Sequence, residues 1–133
     1  MYLFDTDIVS HVLKRRRSAA LMARLKATPR AAQFTSAVNV AEIYYGVIRR
    51  QGRRDLLLSY ETEVFPRLTV LPFDRESARL FGRIKSDLER RGLTRFEPDL
   101  QIASIAIQHK LTLVTGNERR YESIPGLAME NWL

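Results

Sequence analysis

The sequence contains no cysteine and only two histidines among its 133 residues. The absence of cysteine excludes disulfide bonds and zinc sites held by thiolates, and two histidines are too few for a histidine-rich metal site. A metal site in this chain would therefore be built from oxygen ligands, which suit hard cations.

Long hydrophobic runs are also missing. No apolar stretch approaches the roughly 18 residues that suggest a membrane-spanning helix, and the first residues lack the charged and apolar regions of a signal peptide. We therefore expect a cytoplasmic protein with no membrane partner. The length, with 45% hydrophobic residues, predicts a single domain over residues 1–133.

Acidic residues are outnumbered, with 15 Asp and Glu against 22 Lys and Arg, which gives a formal net charge of +7. Such a surface attracts RNA, DNA or an acidic protein. Arginines that close helical patterns also complement the helix dipole, so the charge does not choose among these partners.

Apolar runs bounded by turn residues alternate with helical patterns along the chain. The runs predict strands at Tyr2–Asp5, Gln33–Ser36, Thr69–Leu71, Leu111–Thr115 and Leu127–Met129. The helical patterns cover Ile8–Leu13, Ala19–Lys26, Asn39–Arg50, Asp55–Phe65, Glu76–Arg91 and Pro98–Lys110. This alternation predicts an α/β fold with a mostly parallel sheet and helices on both faces.

The first strand ends in two carboxylates, Asp5 and Asp7. A buried strand delivers its last side chains to the crevice at its carboxyl end, where open α/β sheets bind ligands. Either Asp5 or Thr6 is also a suitable helix cap, so the motif alone leaves both interpretations open.

Two further acids stand alone in apolar helical patterns. Glu42 is the only charged residue between Val38 and Ile48, and Asp99 is followed by no other charge until Lys110. A solvated stripe would explain Glu42, and the helix dipole would explain Asp99. Lone buried carboxylates are costly unless they are paired or bind metal, so both acids indicate a polar cleft shared with Asp5.

A polar turn follows the fourth predicted strand. Thr115 and Gly116 permit close approach of a ligand, and Asn117 offers a carbonyl oxygen to a cation or to a bound water. Turn formation alone also explains these residues.

In order along the chain, five segments resemble PIN-domain ribonucleases of the VapC toxin type. They are Tyr2–Ser10, Ala41–Gly46, Asp99–Ala103, Leu113–Thr115 and the tail from Ile124 through Trp132. The resemblance implies a three-layer α/β/α sandwich that uses Mg²⁺ or Mn²⁺ to hydrolyse single-stranded or loop RNA. It also implies a homodimer and a cognate VapB-like antitoxin.

The resemblance assigns roles to individual residues. Asp5, Glu42 and Asp99 match the three central acids that hold metal. Asn117 lies where many relatives have a fourth acid, and Asp7 stands where the motif commonly has Asn. Asn117 lacks the charge that helps hold a second cation, a charge that Glu118 or Asp7 would have to supply.

The predicted mechanism is phosphodiester hydrolysis assisted by a metal bound to Asp5 and Asp99, with Glu42 and Asn117 acting directly or through water. Thr6, Asp7 and Thr115 would position the metal shell or the substrate. The candidate RNA contacts are all arginines: Arg15, Arg16, Arg17, Arg49, Arg50 and Arg53.

Two other functions compete with this interpretation. The Leu3–Asp7 segment also resembles the nucleophile motif of haloacid-dehalogenase-like phosphatases, in which Asp5 would attack phosphorus. Alternatively, the chain is a basic RNA-binding module without catalytic turnover, as the neutral Asn117 suggests.

Overall fold

A computed structural model describes the whole chain, residues 1–133. The strands are β1 (Tyr2–Phe4), β2 (Gln33–Ser36), β3 (Thr69–Leu71), β4 (Thr112–Val114) and β5 (Met129–Glu130). The helices are α1 (Thr6–His11), α2 (Ala19–Ala27), α3 (Ala37–Ile48), α4 (Arg54–Ser59), α5 (Arg75–Arg90) and α6 (Glu97–Gln108). None of these helices is both long and apolar enough to cross a membrane.

The five strands form one parallel sheet in the order β3-β2-β1-β4-β5. The chain moves outward from β1 in one direction through β2 and β3, and β4 and β5 then extend the other side. This reversal creates a crevice at the carboxyl ends of the central strands, beside β1.

Successive residues of β1 enter different cores, because side chains alternate across a strand. Leu3 packs in a core with residues of α5 and α6, such as Leu88 and Ile102. Phe4 belongs to a second core, formed with residues of α1, α2 and α3 such as Ile8. Helices therefore cover both faces of the sheet. The predicted three-layer sandwich with a parallel sheet is confirmed.

Most predicted elements differ from the structure by only one or two residues at their ends, and the last strand and the helical segment after α3 show the clearest differences. The last strand is Met129–Glu130, later than the predicted Leu127–Met129, because Gly126 still turns the chain at φ 80°. The predicted helix Asp55–Phe65 is α4 followed by a wider turn at Tyr60–Val64 and a short 3₁₀ turn. Pro66 ends this regular winding, since it lacks the N–H that would continue the ladder.

Candidate active site

The candidate site lies at the carboxyl ends of the three central strands. Asp5 directly follows β1, Ser36 ends β2, and Thr115 directly follows β4. All three residues are fully buried. Parallel pairing brings these ends together at one edge of the sheet, where α3 also begins.

Asp5 has no exposed surface, and its carboxylate accepts four hydrogen bonds. Its Oδ1 accepts from the Thr6 backbone N–H at 2.9 Å and from Asn39 Nδ2 at 3.0 Å. Its Oδ2 accepts from the Thr115 and Tyr121 hydroxyls, both at 2.9 Å. The bond from Thr6 also caps α1, so Asp5 is both a helix cap and the centre of the site.

Asn39 is oriented by the start of α3. The Ser36 hydroxyl caps this helix by accepting from the Asn39 N–H at 3.1 Å, and Asn39 Oδ1 accepts from the Ser36 hydroxyl at 2.6 Å. Asn39 Nδ2 is thereby left to donate to Asp5 and to Thr6 Oγ1, the latter at 3.0 Å. The Thr6 hydroxyl in turn donates to Glu42 Oε1 at 2.8 Å. Glu42 is thus linked to Asp5 through two neutral side chains.

Asp7 joins the first strand-helix junction to the turn after β4. Its Oδ2 accepts from the Gly116 N–H at 2.8 Å, while its Oδ1 is buried without a hydrogen-bond partner. A Cβ at Gly116 would lie 2.7 Å from Asp7 Oδ2 and 2.5 Å from Leu133 Cδ1. A larger residue at this position would require the ends of these two side chains to shift.

Asp99 occupies the first turn of α6 and is held by an arginine. Both its carboxylate oxygens accept from Arg120: Oδ2 from Nε at 3.1 Å and Oδ1 from Nη2. The Asp99 side chain is only 3% exposed, whereas that of Arg120 is 30% exposed. Arg120 therefore covers the acid from the solvent side.

The carboxyl groups of the site act on one another electrostatically. Burial raises the pKa of Glu42, the Thr6 hydrogen bond and Arg120 oppose that shift, and the charges of Asp5 and Asp99 add to it. Burial also raises the pKa of Asp99, against the hydrogen bond of Arg120, with a further rise from Asp5. For Asp7, burial and then the Asp5 charge raise the pKa. Burial is the largest cause of each shift, and the neighbouring carboxylates add to it.

The same donor set suits a hard divalent cation in its chemistry, since it offers carboxylate and hydroxyl oxygens and no sulfur. The buried, unpaired Asp7 Oδ1 is a further oxygen that would gain from a cation or a water. In the present arrangement no three acidic or histidine side chains are grouped closely enough to hold a metal ion. Asp99 is engaged by Arg120 instead, so metal binding would require that contact to change.

The structure places the sequence-predicted residues unequally. Asp5, Thr6, Glu42 and Thr115 belong to one hydrogen-bonded network, and Asp99 is coupled to it by charge. Asn117 is exposed, and its backbone N–H donates to Thr115 Oγ1 at 3.1 Å. Glu118, the alternative fourth acid, is also exposed, and it begins the 3₁₀ turn Glu118–Tyr121.

The arginines proposed for RNA contact are mostly exposed and lie outside this network. Arg15, Arg16 and Arg17 occupy the turn after α1. Arg49 is the C-cap residue of α3 and Arg50 follows it, and Arg49 lies over the Tyr45 ring at 5.5 Å. Arg53 is partly exposed and paired with Asp55 at 3.1 Å.

Sequence reasoning missed three residues of the site: Asn39, Arg120 and Tyr121. Asn39 precedes Glu42 by three residues, so it lies on the same helix face, and that spacing was an available signal. The contacts of Arg120 and Tyr121 had no such signal, because their partners lie far away in the chain.

The PIN-domain family profile matches residues 2–127. The chain belongs to the PIN-domain family. Ribonuclease VapC2 of Haemophilus influenzae is 33% identical over 132 residues, which cover 99% of this chain and 98% of that protein. The tRNA(fMet)-specific endonuclease VapC of Salmonella typhimurium is 33% identical over 97 residues, covering 73% of each. This PIN domain is therefore of the VapC ribonuclease type.

A solved structure agrees with this placement. The VapBC2 complex of Rickettsia felis, bound to a promoter DNA fragment, contains a chain with a TM-score of 0.87 and 28% identity to this PIN domain. The match covers 99% of this chain and 98% of that one. Membership of the PIN-domain family removes the haloacid-dehalogenase-like phosphatase from consideration.

Proposed function

We propose that this PIN domain is a divalent-metal-dependent endoribonuclease, the toxin of a toxin–antitoxin pair, that hydrolyses single-stranded or loop RNA. The observation that carries the proposal is the hydrogen-bonded network that links Asp5 to Glu42 and the electrostatic coupling of both acids to Asp99, with raised pKa values for Glu42 and Asp99. A cationic cofactor complements the acidic site, and an anionic substrate complements the chain's net charge of +7.

Asp5 and Asp99 are the residues that would hold Mg²⁺ or Mn²⁺, with Glu42 and Asn117 contributing directly or through water. The bound metal would activate a water and neutralise charge on the phosphate. The chain's own residues prepare this chemistry: Asn39, acting with the buried hydroxyls, fixes the Asp5 carboxylate before substrate arrives. Such preorganisation avoids the cost of orienting charged groups during the reaction.

Burial, reinforced by the negative charges of Asp5 and Asp99, raises the pKa of Tyr121. The phenol therefore stays protonated at neutral pH and remains a donor to Asp5. Thr6, which bridges Asn39 and Glu42, would orient Glu42 toward a water or a metal ligand. Asp7 and Thr115 would hold the turn that carries Asn117 close to the scissile phosphate.

The exposed arginines are proposed to bind the RNA backbone. Arg49 follows Glu42 by seven residues, which places it on the same face of α3 about 10 Å further along the axis. One or two nucleotides of an extended strand would span that separation. Arg53 is paired with Asp55, so it is expected to contribute less than Arg49.

The partners we propose are RNA, a VapB-like antitoxin and a second copy of the chain, all in the cytoplasm. The matched Rickettsia chain belongs to a VapBC complex, which supports the antitoxin. Exposed apolar side chains on α3 and α4, namely Tyr45, Ile48 and Leu58, support a homodimer. Co-expression with the neighbouring small reading frame, followed by an RNA cleavage assay of the purified complex, tests the antitoxin. Light scattering of the chain alone tests the dimer.

The function is tested with purified protein and total RNA, with and without Mg²⁺ or Mn²⁺, followed by mapping of the cleaved ends. We expect metal-dependent cuts in single-stranded or loop regions that leave 5′-phosphate and 3′-hydroxyl ends. Cleavage that persists in EDTA would contradict metal dependence. RNA binding with no cleavage under any metal condition would favour the non-catalytic binding module instead.

A further inference from the structure

The ion pair between Arg120 and Asp99 differs from every other ion pair in the molecule. In the other five pairs both side chains are at least 39% exposed. Asp99 is 3% exposed, and the arginine contacts both its oxygens. Exposed pairs contribute little to stability, but removing one partner of a buried pair leaves a charge without compensation. Arg120 therefore controls the charge of the Asp99 environment.

We propose that Arg120 is a positioning residue that holds Asp99 and competes with the divalent cation for it. This inference rests on the proposed metal-dependent function. A divalent cation bound to Asp99 would sit about 2 Å from a carboxylate oxygen, while Arg120 Nε lies 3.1 Å from Oδ2. A cation and a guanidinium that contact the same carboxylate lie close together, and two positive charges repel strongly in a poorly solvated site. Binding of the cation to Asp99 therefore displaces the guanidinium.

The neighbourhood of Arg120 allows its side chain to leave without disturbing the backbone. Its side chain is 30% exposed, so it has a route to solvent. Its guanidinium also lies 5.7 Å from the centre of the Tyr121 ring. Tyr121 is 1% exposed and its hydroxyl is bound to Asp5. Tyr121 thus holds the backbone in place, and the Arg120 side chain can change its rotamer without moving it.

As a consequence, the Arg120 guanidinium partly sets the affinity of the site for a divalent metal ion. Asp99 is kept compensated and in place until a divalent ion displaces Arg120. The displaced guanidinium then moves toward solvent, to which the Arg120 side chain is already 30% exposed. Lower metal affinity is the expected cost of this arrangement.

Calorimetric titration of Mn²⁺ into the wild-type protein and Arg120→Gln tests the proposal. Glutamine can still donate to Asp99 but carries no charge, so we expect it to bind Mn²⁺ about tenfold more tightly or better. Arg120→Lys keeps the charge and should remain close to the wild type. Arg119→Gln removes an exposed neighbouring arginine and is the matched control, with unchanged Mn²⁺ affinity.

Thermal unfolding provides a second readout that a purely structural arginine would not change in the same way. In EDTA, Arg120→Gln should melt below the wild type, since Asp99 then lacks its counter-ion. Saturating Mn²⁺ should abolish this difference, because the tighter binding stabilises the native state. An equal loss with and without Mn²⁺, together with an unchanged Mn²⁺ affinity, would overturn the proposal.

A measurement on the wild-type chain does not depend on the folding of any variant. The Arg120 Nε–Hε NMR signal, identified by its loss in Arg120→Lys, should move to the position of a solvated arginine in step with Mg²⁺ binding. A signal that stays unchanged while Mg²⁺ binds would overturn the inference alone. If the wild type neither binds Mg²⁺ or Mn²⁺ nor cleaves RNA, the proposed function fails as well.

Discussion

Asp5 and Asp99 are both buried carboxylates, but the protein stabilises them with different partners. Asp5 accepts four hydrogen bonds from neutral donors, all of them fixed by the fold. Asp99 is held by one charged side chain that is partly exposed. Neutral donors set the position of a carboxylate without cancelling its charge, whereas an arginine cancels the charge and can be displaced. The site therefore combines Asp5, which the fold holds in place, with Asp99, whose negative charge is neutralised by an arginine that another cation can replace.

The donors to Asp5 are supplied by separate parts of the fold. They come from the start of α1, from α3, from the end of β4 and from the turn before β5, so each is held by a different part of the sandwich. The Asp99 region depends on a single contact between α6 and that same turn. Substitutions at the two acids and at their neighbours should distinguish the arrangement around Asp5 from that around Asp99.

The largest effect is expected for Asp5→Asn. The amide can accept from Asn39 and Thr6 and can donate to the Thr115 and Tyr121 hydroxyls, because hydroxyls both donate and accept. We therefore expect a folded protein whose RNA cleavage falls by roughly a thousandfold, as the main metal ligand has lost its charge.

Single-turnover cleavage and urea unfolding of the same Asp5→Asn preparation check this prediction. Asp5→Ala is the contrasting variant, because it leaves several donors without an acceptor and should cost about 3 kcal/mol or more in the free energy of unfolding. Near-normal cleavage by Asp5→Asn would remove Asp5 from the catalytic centre.

Asp99→Asn should separate catalysis from binding. We expect RNA cleavage to be lost and RNA binding to be retained or strengthened, since one negative charge leaves the site while the basic surface stays intact. The opposite behaviour is expected for Arg49→Gln, which should weaken binding and reduce its salt dependence while leaving the rate at saturating RNA nearly unchanged. Filter binding over a range of salt concentrations measures both variants. Equal loss of binding and cleavage in a folded Asp99→Asn protein would contradict the division of roles.

A smaller effect is expected for Tyr121→Phe, which removes one donor from the fixed acid. The Asp5 Oδ2 atom would keep only its bond from Thr115. We expect the free energy of unfolding to fall by about 1–2 kcal/mol, as measured by urea unfolding. Tyr2→Phe is the matched control, because Tyr2 contributes its ring to a contact with Trp132 at 4.8 Å and no hydrogen bond of its hydroxyl is involved. If both variants lose the same stability, the bond from Tyr121 does not hold Asp5.

The smallest effect is expected for Asp7→Asn, at the edge between the two regions. Burial and the charge of Asp5 raise the pKa of Asp7, so the folded state favours its protonated form. That contribution to stability is present below the pKa of the unfolded chain and is lost as pH rises through the native pKa. The melting temperature of Asp7→Asn should therefore exceed that of the wild type at pH 7, and the difference should shrink as the pH is lowered. A difference that grows on acidification would contradict the raised pKa.

The fold was largely predictable because its signals are local. Apolar runs such as Gln33–Ser36 and Thr69–Leu71 coincide with strands, and alternation with helical patterns indicates a parallel sheet. The change of winding at Tyr60 was not predictable, since its buried residues Tyr60 and Val64 pack in a core shared with the distant Phe4 and not only with their neighbours in the chain. The start of β5 also depends on its pairing with β4.

The site was predictable only for residues that look out of place in the sequence. Glu42 and Asp99 stand alone in apolar helices, and Asp5 ends a buried strand. Tyr121 could not be recognised in this way, because it lies 116 residues from Asp5 and an aromatic residue in a turn has many ordinary explanations. Arg120 was hidden among the exposed arginines that give the chain its positive charge.

The most direct test is a crystal structure of the wild-type chain soaked in Mn²⁺, with the metal located by its anomalous scattering. We predict one Mn²⁺ within about 2 Å of an oxygen of Asp5 and of an oxygen of Asp99, with the Arg120 guanidinium withdrawn from Asp99. Mn²⁺ bound elsewhere on the protein, or bound at Asp99 while Arg120 still contacts both of its oxygens, would contradict the account.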